Sequence, residues 1–113
     1  MMAGYKAVFL IPASAKKIFD DTGWAFETKN RLRVTVLDAL KQAFLLQFAE
    51  RYLGIEAYVG DGVKVNVIYD EEGLIEHISI QLWERTAKEL KEALHEFGDV
   101  DIFIPSDAPS ASV

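Results

Sequence analysis

The chain has no cysteine and only two histidines. The first absence removes disulfides, thiolate metal sites and cysteine nucleophiles, and it leaves the redox compartment undetermined. The second leaves little material for general-base chemistry, for which histidine is the commonest side chain. Long apolar runs are missing too. The uninterrupted ones are only a few residues, far short of the roughly 20 that a membrane-crossing helix needs. The N-terminal stretch MMAGYKAVFLIP has one lysine and a short apolar run, without the longer apolar core and small-residue cleavage site of a signal peptide. The expectation is a cytoplasmic protein that does not enter a membrane.

Cations are scarce. There are 12 Lys and Arg against 18 Asp and Glu, a net charge of −6. The deficit is uneven: residues 1–35 sum to +3, 36–53 to zero and 54–113 to −9. An acidic surface keeps a protein soluble, and it also suits a partner with a basic surface. Apolar side chains are plentiful. They make up 50% of the chain and include seven Phe and two Trp, enough for one real core.

Tyr5–Pro12 reads as a strand buried on both sides, because Ala7, Val8, Phe9, Leu10 and Ile11 do not alternate. Ser14 is placed to cap a short helical turn over Ala15–Asp21, stopped by Gly23. Trp24–Val36 alternates in two pieces around Lys29-Asn30, the pattern of a hairpin with a loose turn. Val36–Leu53 reads as a long helix with Asp38 as its cap and Gly54 as its stop. Ile55–Trp83 is a three-stranded antiparallel meander. Val63, Val65, Val67, Ile78, Ile80 and Leu82 face inward, and His77, Ser79 and Gln81 face water. Thr86-Ala87-Lys88-Glu89 is a capping box that opens a second helix. Val100, Ile102 and Ile104 form a last strand, ended by Pro105. Val65, Val67, Ile78, Ile80, Leu90, Leu94 and Phe97 should share one interior.

These elements give an α+β class: an antiparallel or mixed sheet of about four to seven strands with two main helices on one face. The order strand, helix, strand, strand, helix, strand is the split βαβ plan of ferredoxin-like sandwiches, with an inserted hairpin. Residues 1–105 form a single domain on this reading, and 106–113, SDAPSASV, form a disordered C-terminal tail. The plan hosts many unrelated functions and says little about this one.

No catalytic or cofactor motif emerges. His77 falls at an outward strand position and His95 on the exposed side of a helix, neither with a neighbour that suggests a triad or a metal pair. Asp70-Glu71-Glu72 and Asp99-Val-Asp101 gather carboxylates without the spacing of a calcium loop. Gly60-Asp61-Gly62 lacks the rest of a phosphate-binding fingerprint and does not open a helix. No cofactor or metal is therefore expected. Helix, meander, helix is also the element order of double-stranded RNA-binding domains, but Glu84, Glu89 and Glu92 interleave with Arg85, Lys88 and Lys91 and cancel the charge that phosphate contacts need. Lys29, Arg31 and Arg33 lie beside Trp24 and Phe26, a mixture that can bind single strands, yet three cations are few. Nucleic acid is the lesser expectation.

The long helical segment is the most telling feature. At about 100° per residue, Leu37, Leu40, Phe44 and Phe48 make one stripe. Leu45, Ala49 and Tyr52 fall well away from it, and Leu46 and Leu53 lie further round. A helix that is apolar nearly all round is either sandwiched inside its own fold or touches something else as well, and in a chain of 113 residues the second option is open. The expectation is a small, acidic, non-enzymatic interaction protein. It would dock on a protein partner with a basic surface, or on itself as a homodimer. The contact would run through Leu45, Ala49 and Tyr52, rimmed by Asp70, Glu71, Glu72, Glu89, Glu92 and Glu96. Stoichiometric inhibitors such as immunity-type proteins share this size and charge. The competing expectation is a ligand-binding or enzymatic ferredoxin-like dimer with a pocket between helix and sheet.

Overall fold

The computed structural model describes residues 5–105, so the expected C-terminal tail lies outside the described residues. The chain forms β1 (Lys6–Pro12), β2 (Lys16–Asp20), β3 (Gly23–Glu27), α1 (Val34–Phe44), β4 (Gln47–Tyr52), β5 (Ile55–Gly60), β6 (Val63–Tyr69), β7 (Ile75–Leu82), α2 (Ala87–Ala93) and β8 (Val100–Phe103). Six strands make one sheet in the order β4-β5-β6-β7-β1-β8, and all its neighbouring pairs are antiparallel. β2 and β3 pair with each other as a separate ribbon. The class is α+β.

The alternating residues of the meander define two faces. Val63, Val65 and Val67 on β6, Ile78, Ile80 and Leu82 on β7 and Val8 and Leu10 on β1 point to the helices and are fully or almost fully buried. They meet Val36, Leu37, Leu40 and Phe44 of α1, Leu90 of α2 and Leu94 just after it in one core cluster. Burial of this kind of surface is the main driving force of folding. Phe97, expected in the interior, is half-buried against the cluster, with Arg33 held 5.3 Å from its ring centre. The opposite face is covered at one side by the ribbon. Phe26 lies 5.2 Å from Phe9 and Trp24 lies 4.7 Å from Phe103, centre to centre. β1 is therefore sandwiched, as its unbroken apolar run requires.

Several local expectations are overturned. The segment expected as one helix over Val36–Leu53 is a helix, a left-handed break and a strand. α1 starts earlier, at Val34, with Arg33 at its N-cap position, and Asp38 lies inside it. It stops at Phe44, because Leu45 turns to φ 51° and ψ 49° and Leu46 N–H bonds back to the Lys41 carbonyl at 3.0 Å. Gly60 lets this end approach closely, since a Cβ there would come within 2.7 Å of the Phe44 carbonyl oxygen. Lys16–Asp20, expected as a helical turn, is instead a strand paired with Gly23–Glu27, so the hairpin turns at Asp21-Thr22 and not at Lys29-Asn30. Its apolar residues are needed as a cover for Phe9 and Phe103, and this long-range contact outweighs local propensity.

The capping box is present. Glu89 N–H donates to Thr86 Oγ1 at 3.2 Å, and Thr86 N–H donates to Glu89 Oε1 at 2.8 Å. Thr86→Ala should lower stability by about 1 kcal/mol, the ordinary cost of a lost N-cap. Thermal unfolding followed by far-UV circular dichroism checks this, and an unchanged midpoint would count against the cap.

Candidate interaction surface

β4 is an edge strand. Its inner side pairs with β5, and all six of its residues are exposed. The register slips between Phe48 and Glu50, which makes Ala49 the extra residue of a β-bulge. The bulge sorts the apolar side chains to both faces. Phe48 faces the helix side, where its ring meets Tyr58 edge-on at 5.7 Å. Tyr52, opposite Ile55, takes the other face and lines a shallow hollow of about 190 Å³ with Glu50, Ile55, Ala57 and Asn66. Leu45 precedes the strand and Leu53 follows it. Exposure is 80% for Leu45, 59% for Phe48, 70% for Tyr52 and 81% for Leu53.

The two leucines have a second peculiarity. Among the described residues, Leu45 and Leu53 alone of the non-glycines have positive φ, at 51° and 48°. Leu53 and Gly54 are the two central residues of the β4–β5 turn, both with φ above zero, a turn that favours Asn-Gly. A left-handed L-residue other than Gly or Asn costs about 1–2 kcal/mol, and a branched side chain gains no burial here to offset it. Large apolar groups thus stand in water at two positions where backbone geometry favours glycine or asparagine. The sequence signals are the residue before Gly54 and the mixed pattern of 47–52. Neither identifies a left-handed leucine by itself.

A polar network fixes the base of this edge. The Glu56 side chain is 14% exposed. Its Oε1 accepts hydrogen bonds from Tyr69 at 2.7 Å and Tyr58 at 3.0 Å, and its Oε2 pairs with Arg51 at 2.7 Å. Lys41 of α1 sits 4.7 Å from the Tyr58 ring centre. Burial alone would raise the Glu56 pKa, but the two phenols, Arg51 and Lys41 outweigh it and hold the carboxyl below its usual range. Burial and the same carboxylate push both phenols up. The network joins β4, β5, β6 and α1, and sequence spacing gave no sign of it.

The acidic residues expected as a rim fall in separate places. The Asp70–Gly73 turn adjoins the β4–β5 turn, because Tyr69 N–H donates to the Gly54 carbonyl at 3.0 Å. Asp70 is occupied there. Its carboxylate takes Arg31 Nε at 2.7 Å and the N–H groups of Glu72 and Leu74 at 2.8 and 2.9 Å. Glu71 and Glu72 are exposed and line a hollow of about 380 Å³ with Glu76 and Arg31. Glu89 is tied to Thr86 and Arg85, while Glu92 and Glu96 are exposed near the end of α2 and just beyond it. α2 carries the chain from β7 to β8, the edge remote from β4.

At least three of the six cations in residues 1–35 are held in ion pairs. Arg31 pairs with Asp70 at 2.7 Å, Arg33 with Asp99 at 3.0 Å and Lys17 with Asp101 at 3.2 Å. No group of three or more acidic or histidine side chains that could hold a metal occurs among the described residues. No described helix is long and apolar enough to cross a membrane. The chain matches no protein-family model, no curated protein and no solved structure. The geometry alone carries the functional reading.

Proposed function

We propose that the chain is a non-enzymatic interaction protein that docks on a protein partner through the β4 edge. The observation that carries this reading is the pair of exposed leucines in left-handed backbone at the two ends of a fully exposed edge strand. Strained backbone is a cost that persists where function requires it. The mode is strand addition. The partner contributes an extended segment to the free backbone groups of β4, and its alternate side chains meet Phe48 on one face and Tyr52 on the other. Long exposed edges are normally blunted, because they invite such pairing.

Charge and register favour a foreign partner over a second copy. A two-fold pairing centred on Glu50 or on Arg51 sets like charges opposite one another, which is destabilising. One centred on Ala49 sets the two bulges together, where the ladder is broken. The exposed Glu71 and Glu72 beside the Leu53 turn add negative charge at one end and favour a basic residue at that end of the partner's segment. The β1-α1-β6-β7-α2-β8 subset, with β7 between β6 and β1, supports the split βαβ plan as a further proposal. On that plan β4 and β5 are an appended hairpin, consistent with a recognition element.

The test combines Leu45→Gly with Leu53→Asn. Relief of two strained positions at about 1–2 kcal/mol each, less about 1 kcal/mol for the extra unfolded-state freedom of glycine at 45, should raise stability by about 1–3 kcal/mol, while partner capture through β4 should weaken at least tenfold. Denaturant titration reads the first effect, and titration of an extended, apolar, Lys-ended peptide library reads the second. A variant that is more stable and selects the same peptides with the same affinity would remove the β4 edge as the binding surface.

A further inference from the structure

We propose that the β2–β3 ribbon is a latch over the second face of the sheet, and that it is released when His77 takes up a proton. The ribbon's strands bond to each other and not to the six-stranded sheet, so side chains hold it down. The clasp is a cluster of rings. Phe26 contacts Phe9 at 5.2 Å and Phe103 at 6.1 Å, Trp24 contacts Phe103 at 4.7 Å, and Phe19 backs Trp24 at 4.8 Å. His77 is the one titratable member of that cluster. Its ring meets Phe26 edge-on at 5.2 Å and Phe9 at 6.3 Å. Expected from the sequence to face water, it lies instead under the ribbon, because the alternation that turns it away from the core turns it into this second, smaller apolar layer.

An imidazolium is stabilised by water or an acid; His77 is half-buried beneath the rings, and no carboxylate among the described residues is bonded to it. Charged groups near this layer are few. β2 brings Lys17, which lies 5.4 Å from the Phe103 ring centre and is paired with Asp101 of β8. β6 brings Lys64 on the same face, and Ile68 is the residue directly opposite His77. Glu76, next in the chain, acts on Arg31, whose Nε is bonded to Asp70. β1 and β3 present Phe9, Ile11, Trp24 and Phe26 to the layer, none of them charged. None of these charges shifts His77. Burial alone pushes its imidazole below the usual 6.5.

The sign follows from linkage. A base whose pKa is lowered by docking binds fewer protons in the docked state. The docked ribbon is therefore favoured in full above pH 6.5, and the advantage is lost as pH falls from there toward the lowered value. Opening costs the ring contacts and the Lys17–Asp101 pair, which is partly exposed and weak. It uncovers Phe9, Phe103 and the inner side of the ribbon, a second apolar surface that exists only in acid.

Trp24 reports on this directly. In a Trp83→Phe background its emission should shift to the red between pH 7.5 and pH 5.0, with a midpoint below 6.5 and unchanged far-UV circular dichroism. His77→Phe, which fills the same space with a ring that cannot be protonated, should abolish the shift. If that variant does not fold, the His77 ring-proton NMR titration in the otherwise unaltered protein takes its place, and it must coincide with the Trp24 transition. An emission spectrum that is the same at both pH values overturns the latch. So does a shift that survives in His77→Phe, one that fails to track the His77 titration, or one that accompanies global loss of helix and sheet signal.

Discussion

Leu90→Ala should destabilise the protein by about 2–5 kcal/mol, the range for truncating a fully buried leucine. Leu90 is 0% exposed and is the buried residue of α2. That helix has seven residues, too few to be stable in water without tertiary support. Its capping box organises the first turn but buries nothing. Removal of the Leu90 side chain takes away the contact that holds α2 on the sheet and leaves a cavity in the core cluster to which Leu90 belongs. The effect should appear in urea titration as a large fall in midpoint, with a helix signal reduced before the main transition. A loss under 1 kcal/mol would mean that α2 is held by something other than its apolar stripe.

Glu56→Ala should cost about 2–4 kcal/mol. Two hydrogen bonds, each worth about 1 kcal/mol net, and one ion pair converge on this carboxylate, and truncation leaves the buried Tyr58 and half-buried Tyr69 phenols without their acceptor. Glu56→Gln should recover roughly half, since its amide oxygen still accepts from a phenol while the charge that faces Arg51 is gone. The same group gives a pH signature. Its pKa is lower folded than unfolded, so its contribution is complete above the unfolded value of 4.5 and is lost as pH falls from there through the lowered folded value. Stability between pH 7 and pH 3 should therefore fall less in Glu56→Gln than in the unaltered protein. Parallel slopes for the two proteins would mean that Glu56 does not carry this dependence.

What the sequence disclosed follows a physical divide. The inward sides of β6 and β7 were legible because a two-residue period survives wherever one face is buried, as at Val63, Val65, Val67, Ile78 and Ile80. The capping box was legible because Thr86 and Glu89 satisfy each other locally. Tyr52 and Leu53 kept an apolar character that falls off the Leu37–Phe48 stripe, and the excess was real while its cause was misjudged. A strand edge, and not helix wrapping, puts them in water. The break at Leu45 was hidden because a leucine in left-handed backbone has no sequence mark. β2 was hidden because Lys16-Lys17-Ile18-Phe19-Asp20 takes its shape from the aromatic layer beneath it. His77 was placed on the correct face of β7, but alternation cannot distinguish a face covered by water from one covered by a ribbon. The Glu56 network was invisible because its members come from three strands and a helix.

The position of β1 has a consequence for synthesis. Lys6–Pro12 is made well before its two sheet neighbours, β7 and β8, which follow every other strand of the sheet in chain order. At about 5–20 residues per second, this most apolar of the strands waits roughly 5–20 s for partners that do not yet exist. β4 to β7, by contrast, can zip together as consecutive hairpins while the chain is still emerging. Translation thus yields a half-sheet with an open slot beside β7 and a greasy, unpaired β1. The yield of native protein in a cell depends on whether that strand is shielded until the slot can be filled.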